Sequence, residues 1–518
     1  MKLARRRKSA ALELGMIFTG SPPNNVSGIQ FEQVLRRARH FWLTAGLAAA
    51  LASPTPAFCD DTPRDLDAAG SPIGPAQTDP AIQNVLAQIS ARQIRHTIEK
   101  LVNFHNRSTL SSMDTDLPAG QGATAAADWI AQQLVDYAAD CGGCMEVKRD
   151  TFTQEAEPPP QGRIPKPTTI TNVYAVLRGS DPKQAARMIL VTGHYDSRNS
   201  DTMNTKDEAS GANDDASGVA VSLECARVLS RLKLPATLVF VAVAGEEQGL
   251  NGSRHLAQLA KREGWQLEGV LNNDIVGGNT TPGDTLQDKS LVRVFSEGIP
   301  ATATPDEIKR ITALGLESDS PSRELARVVA DVSRSYQLAP PFHPVLIFRR
   351  DRYLRGGDHS SFNQEAFAAV RFTEWREDFN HQHQDVRVEN GVQYGDLLQF
   401  VDFDYVAKVA RVNAATMATL AAAPPPPEKV RIVTKNLDNG TTLHWAAGSG
   451  APAGTAYEVV WRETSAPEWQ RSVRPQAQMD GDSHAATLSV SKDNVIFGVR
   501  AVDAAGHRSV AVTPLPER

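Results

Sequence analysis

At 518 residues the chain is longer than one ordinary hydrophobic core serves, so two folded domains plus connecting segments are expected. Hydrophobic residues at 41% and charged residues at 22% give a globular balance, and a formal charge of −6 excludes a nucleic-acid binder driven by positive charge. No stretch of about 18 consecutive apolar residues exists, so no transmembrane helix is predicted.

Near the start, Arg36, Arg37, Arg39 and His40 precede an apolar run over residues 41–51, and a Ser/Pro/Thr/Ala segment follows at 53–57. Basic, then apolar, then small is the order of a secretory signal. Residues 1–57 therefore read as leader plus signal peptide, and the mature protein as exported, periplasmic or extracellular. About 35 residues precede the basic cluster, more than a whole signal of ~15–30 residues needs, which places the true initiator downstream of Met1. Residues 58–80, rich in Pro, Asp and Ala, read as a linker. Cys59 falls within it. Cys141 and Cys144 enclose two glycines and suit a local disulfide, and Cys225 sits on a helix as a small core residue.

Apolar residues recur at helical spacing from 79 to 104, among them Ile82, Val85, Ile94, Ile98 and Leu101. A second helix over 124–139 presents Trp129, Ile130, Leu134 and Val135 on one face. Strands are predicted at 146–153, 171–178 and 188–192. A helix from Ser217 buries Val219, Leu223, Ala226 and Leu229. Strand 237–244, a helix over 253–263 and strand 269–273 follow. This alternation predicts an α/β fold, a mixed, mostly parallel sheet with helices on both faces. Residues 278–355 carry one evident helix, 322–336, before a strand at 368–373 and a long helix at 395–422. The body so defined spans 81–423.

Prolines then form a stiff linker at 424–428. Beyond it the pattern is all β, with short runs at 430–436, 442–445, 457–463, 470–473, 486–490, 495–502 and 509–513. They predict a β-sandwich over 429–518. Trp445 and the segments 457–462 and 497–503 resemble a fibronectin type III domain, with Phe497 where that family usually has Tyr.

Three strand ends deliver metal-ligand residue types: His194 and Asp196 after 188–192, Glu246 and Glu247 after 237–244, and Asp274 after 269–273. Such ends face the crevice where open α/β sheets bind ligands. Asp214 and His359 lie in loops that follow the same body. Imidazole and carboxylate are zinc ligands, and two zinc ions can share a bridging carboxylate. Adjacent Glu246 and Glu247 diverge, so one can bind metal while the other accepts a proton. Each piece alone has an ordinary reading: a surface His-Asp pair, a solvated Glu-Glu turn, a helix cap near Asp214. The pieces together point to a metal site.

His194-Tyr195-Asp196, the segments 211–218 and 245–253, Asn273-Asp274 and the segment 357–362 resemble the M28 family of zinc peptidases, which includes bacterial secreted dizinc aminopeptidases. The likeness spans roughly residues 85–420. The resemblance implies two zinc ions per chain, held by His194, Asp214, Glu247, Asp274 and His359. Asp214 bridges them, Glu247 pairs with His359 on one ion, and His194 pairs with Asp274 on the other. It implies Glu246 as general base and then acid, and Asp196 as the residue that orients His194. It also makes Asp214–Asp215 a cis peptide. His381-Gln382-His383 is read as a loop near the cleft that does not bind metal, and His255 as a packing histidine. Arg349, Arg350, Arg352 and Arg355 are read as mostly solvated, with Tyr353 or Arg355 able to contact substrate. The expected protein is thus an exported dizinc aminopeptidase acting on peptides or proteins, with no nucleic-acid partner. Its C-terminal domain is expected to bind substrate, a surface or a partner protein. The alternatives are a single-zinc enzyme like a glutaminyl cyclase, or a carboxypeptidase of the same fold.

Overall fold

The computed structural model describes residues 69–517 except 337–340, 477, 481 and 482; the leader and signal peptide, Cys59 and the rest of 58–68 lie outside the described residues. Strand β1 (Ser71–Pro72) comes first, then α1 (Pro80–Leu86) and α2 (Ala91–Val102). Asp79 and Ser90 cap the two helices, each accepting from a first-turn backbone N–H. Helix α3 (Gly122–Asp140) leads through the Cys141–Cys144 disulfide into β2 (Met145–Gln154), which pairs antiparallel with β3 (Thr168–Leu177). The alternating part follows: β4 (Arg187–His194), α4 (Ala216–Leu229), β5 (Thr237–Val243), α5 (Asn251–Arg262) and β6 (Gln266–Asn273). Next are β7 (Leu291–Ser296), α6 (Pro305–Leu314), α7 (Pro321–Tyr336), β8 (His343–Ile347), α8 (His359–Gln364), β9 (Ala369–Glu374), the short hairpin β10 (Arg387–Glu389) and β11 (Val392–Tyr394), and α9 (Phe403–Ala422).

Eight strands form one sheet in the order β2-β3-β5-β4-β6-β9-β7-β8. Its centre, β5-β4-β6-β9, is parallel, while β2, β3 and the β9-β7 pair are antiparallel. Strand β5 shows why the centre is buried. Leu238, Phe240 and Ala242 join the core beneath α4 and α9, and Val239, Val241 and Val243 join the core beneath α5 and α8. The two-residue period serves two faces at once, and each large side chain so buried contributes about 1.5–3 kcal/mol. Among the described residues no helix is long and apolar enough to cross a membrane.

Three expectations change. Strands β7 and β8 and helix α6 fill the stretch expected to hold one helix. Strand β8 is a half-exposed edge and α6 buries no residue, so neither carries a clear apolar pattern. The final helix starts at Phe403 because Asp402 caps it, accepting from Tyr405 N at 3.0 Å. Residues 69–80 are no free linker. Ser71 and Pro72 pair with Ser472 and Arg471, a Cβ on Gly70 would come within 2.2 Å of the Trp461 ring, and Ala76 N donates to Ser335 Oγ at 2.8 Å.

The C-terminal region holds β12 (Glu428–Val433), β13 (Thr441–Ala446), β14 (Ala456–Glu463), β15 (Arg471–Val473), β16 (Gln478–Asp480), β17 (Ser483–Leu488), β18 (Val495–Val502) and β19 (Leu515–Glu517). One sheet runs β1-β15-β14-β18 and the other β16-β17-β13-β12-β19. Trp445 of one and Trp461 of the other are fully buried in a shared core with Phe497 and Val499. The run expected at 509–513 makes an isolated bridge, Val512 to Val499, and the strand lies further on at β19. This region docks on α7 and the loop before it through buried charges. Arg462 Nη2 lies 2.6 Å from Asp319 Oδ1, Trp469 Nε1 donates to Glu324 Oε2 at 3.0 Å, and Arg327 Nε donates to Pro467 O at 2.7 Å. Arg327 also pairs with Glu324, and Arg500 and Arg508 reach Asp331 at 3.4 and 3.3 Å.

Candidate metal centre

The parallel strands end on one side of the sheet, and the polar residues follow them there. His194 is the last residue of β4, Glu246 and Glu247 come just after β5, and Asp274 comes just after β6. Asp214 precedes α4, whose N-cap is Asp215, and the peptide bond between the two aspartates is cis.

Asp214 is the hub. Its Oδ1 lies 3.1 Å from His194 Nε2, and its Oδ2 lies 2.8 Å from His383 Nε2. His194 Nε2 is 3.9 Å from Asp274 Oδ1, and His383 Nε2 is 3.1 Å from Glu247 Oε1. Two groups of donors result, each with its ligand atoms within 4.8 Å of one another: His194, Glu246 and Asp274, and Asp214, Glu247 and His383. His383 Nε2 and Glu247 Oε1 are buried and make no hydrogen bond. An orphaned buried polar atom costs about 1–3 kcal/mol, and a cation seated between the two removes that cost. The donors are all imidazole nitrogen or carboxylate oxygen, a set that fits a zinc-like divalent ion.

His359 is not part of this cluster, which corrects the expected ligand set. It opens the short helix α8, and its Nε2 is hydrogen-bonded to the Arg350 carbonyl at 2.9 Å. Burial pushes its ring down to about 4, so it is held neutral there. The histidine that faces Asp214 and Glu247 is His383, in the segment expected to stay off the metal. Its backbone sits at φ +54°, a left-handed conformation that bulky residues rarely adopt. Burial alone would lower its ring, yet Glu247 and Asp214 hold it up at about 10.

Other side chains set the geometry. The Asp196 carboxylate lies 3.4 Å from His194 Nδ1, and the Asp196 carbonyl is closer, at 3.1 Å. The same carboxylate accepts from the backbone N–H of Glu246 (3.4 Å) and Glu247 (3.2 Å), so Asp196 positions both strand ends. Arg198 ties the second group together, with Nε 3.0 Å from Glu247 Oε2 and Nη2 2.7 Å from His383 Nδ1. Arg371, fully buried, pairs with Asp274 at 2.8 Å. Neither arginine was anticipated, and nor were Asp396 and Arg107. Asp396 accepts from the backbone N–H of Asn213 (2.8 Å) and Asp214 (2.7 Å), and burial pushes its carboxyl up to about 7. Arg107 donates to the carbonyls of Tyr195, Ser210 and Gly211, joining the loops of His194 and Asp214. A lone aspartate and a lone arginine have no motif, so only the fold reveals them.

His381 stacks on Phe400 with ring centres 3.5 Å apart, and His255 stacks on Phe152 while bonding Asp150 at 2.9 Å. Both pack rather than ligate. Glu246 is partly open to a cleft of about 720 Å³, and burial raises its carboxyl well above the ordinary carboxylate range.

The sequence profile of Peptidase family M28 matches residues 172–394. A probable zinc metalloprotease of Pyrenophora teres f. teres (strain 0-1) is 43% identical over 450 residues, covering 86% of this chain and 89% of that one. Another from Pyricularia oryzae (strain 70-15 / ATCC MYA-4617 / FGSC 8958) is 45% identical over 453 residues, covering 86% and 87%. The chain belongs to peptidase family M28. Among solved structures, Legionella pneumophila LapA aminopeptidase aligns over 66% of this chain and 74% of its own, at 19% identity and a TM-score of 0.44. The M28 profile covers His194, Asp214, Glu246, Glu247, Asp274 and His383.

Proposed function

We propose that this M28 peptidase works with two zinc ions and is an exported aminopeptidase. The observation that carries the reading is Asp214, whose two oxygens each face a histidine, one in each donor group. His194, Asp214 and Asp274 would hold one ion, and Asp214, Glu247 and His383 the other. When bound, the ions supply Lewis acidity that polarises a scissile carbonyl and acidifies a water. Glu246 is the proton carrier. Its carboxylate belongs to the first donor group and is open to the cleft, so it can stay off the ions, take the proton of the attacking water and deliver it to the leaving amine. Asp196 fixes the His194 ring and the backbone of both glutamates, so the proton acceptor and a ligand keep their spacing.

Export is supported by the order of residues 36–57 and by a disulfide at Cys141–Cys144, which suits an oxidising compartment. The fibronectin type III likeness of 429–518 belongs to the same proposal, supported by two facing sheets around Trp445 and Trp461. A role in binding substrate, a surface or a partner protein is proposed for this domain too.

Metal analysis of the purified protein should give two zinc ions per chain, and free-amine peptide amides should be cleaved from the N-terminal end. Glu246→Gln should keep both ions and lose about 10²–10⁴ in turnover. One ion per chain, or near wild-type turnover in the variant, overturns the assignment. Mass analysis of the secreted product should find a start close to residue 58.

A further inference from the structure

The cleft that opens on Glu246, Glu247 and His383 has a basic wall. Arg163 and Arg254 both hang on the turn that carries the glutamates. Arg163 Nη1 donates to the Glu247 carbonyl at 2.8 Å, and Arg254 Nη2 donates to the Gly249 carbonyl at 2.9 Å. Among the described residues, neither pairs with a carboxylate. The remaining cleft arginines are partly or wholly committed. Arg198 serves Glu247 and His383, and Arg355 shares Glu377 with Arg293 and Arg352. Outside the metal cluster, Glu157 is the acid lining this cleft.

An arginine whose guanidinium has only one carbonyl partner retains unused donors in a planar fork. Carboxylate is the group that fits such a fork, and it does so through paired hydrogen bonds. Leu354 and Phe379 line the same cleft and are exposed, which suits an apolar substrate side chain. The Glu247 carbonyl holds Arg163 one residue's reach from a donor of the second group, so a carboxylate there lies within a short peptide's length of the reacting bond.

We propose that Arg163 and Arg254 form a carboxylate-recognition subsite, and that the preferred substrates are short peptides carrying a carboxylate beyond the scissile bond. This inference rests on the peptidase reading above. The carboxylate comes either from the free C-terminus of a di- or tripeptide or from an acidic side chain. The subsite lowers KM and leaves the chemistry at Glu246 unchanged.

The test compares the zinc-loaded full chain with Arg163→Ala, Arg254→Ala and the double variant. Substrates are Leu-Ala free acid against Leu-Ala amide, and Leu-Glu-Ala amide against Leu-Gln-Ala amide. At least one carboxylate-bearing peptide should show a KM about tenfold below its neutral counterpart, the effect of roughly 1.4 kcal/mol of binding, with kcat little changed. The double variant should bring the KM of each carboxylate-bearing peptide to that of its neutral counterpart in the same variant. Whichever pair shows the gain identifies the terminal or the side-chain source. Equal KM values in the wild type, or an advantage that survives the double variant, overturn the subsite. Cleavage of an N-acetylated free-acid peptide, with no cleavage of free-amine amides, would replace the aminopeptidase reading by a carboxypeptidase. The arginine dependence of KM would then still decide the subsite. Calorimetric titration of the free-acid and amide peptides reads the contact without turnover, so loss of the peptidase reading does not mask the result.

Discussion

Two of the regions where this molecule buries charge are built on different rules. Where the C-terminal sheets dock on α7, each acid meets an arginine: Asp319 with Arg462, Glu324 with Arg327, Asp331 with Arg500 and Arg508, and Glu458 with Arg500. At the ends of β4, β5 and β6, acids converge on one another around two histidines, and Asp214 and Glu247 share His383. The first arrangement is balanced by the chain's own residues. The second is answered only in part, by Arg371 at Asp274 and Arg198 at Glu247, and among the described residues Asp214 and Glu246 meet no arginine. Acids matched one by one with arginines fix how two regions meet, whereas acids crowded beyond their partners mark a candidate functional site.

The largest expected effect sharpens this contrast at its centre. His383→Ala should lose one ion and reduce turnover by more than the ~10–100-fold that an outer partner of a ligand is worth. His359→Gln should keep both ions, at a stability cost of about 1–3 kcal/mol from its lost bond to Arg350. Metal content and turnover of the two variants, measured together, decide between the histidines. Asp319→Ala should destabilise by about 3–5 kcal/mol in urea unfolding because buried Arg462 loses its carboxylate partner, while kcat/KM per folded molecule is unchanged. A loss of activity in the folded variant would break the division between the two regions.

Asp396→Asn comes next. It leaves an N–H of Asn213 or Asp214 without its acceptor, at about 1–3 kcal/mol. Metal affinity should fall within the ~10–100-fold range typical of residues that orient ligands. The smallest effect lies at the rim of the docked region. Burial alone would lower the His507 ring, but Asp503 at 2.7 Å and Asp79 at 3.4 Å raise it. A raised histidine contributes stability that is complete below its unfolded value of ~6.5 and is lost as pH rises through its folded value. The wild type should therefore lose up to about 1 kcal/mol relative to His507→Gln on that alkaline side, measured as the pH dependence of the unfolding midpoint.

The strand ends were legible because burial on both faces leaves an unbroken apolar run, as in 237–244, and the next polar residue then has to face the crevice. His194, Glu246, Glu247 and Asp274 all follow from that rule. His383 does not, since it lies in an irregular loop after β9 and its aim depends on a left-handed backbone that no local pattern announces. His359 misled for the complementary reason: it stands in a polar segment that resembles a family motif, yet helix α8 turns its ring to the Arg350 carbonyl. Edge strand β8 and exposed helix α6 were missed because periodicity reports burial, and they have little.

The pairing of Ser71 and Pro72 with β15 has a consequence for assembly. That short strand leaves the ribosome about 400 residues ahead of its partner. The α/β body lies between the two strands in sequence, and closing so distant a contact carries a large loop-closure cost. The pairing can form only once β15 has been made. A polypeptide ending before residue 471 keeps every donor of the metal centre but lacks the partner of this strand.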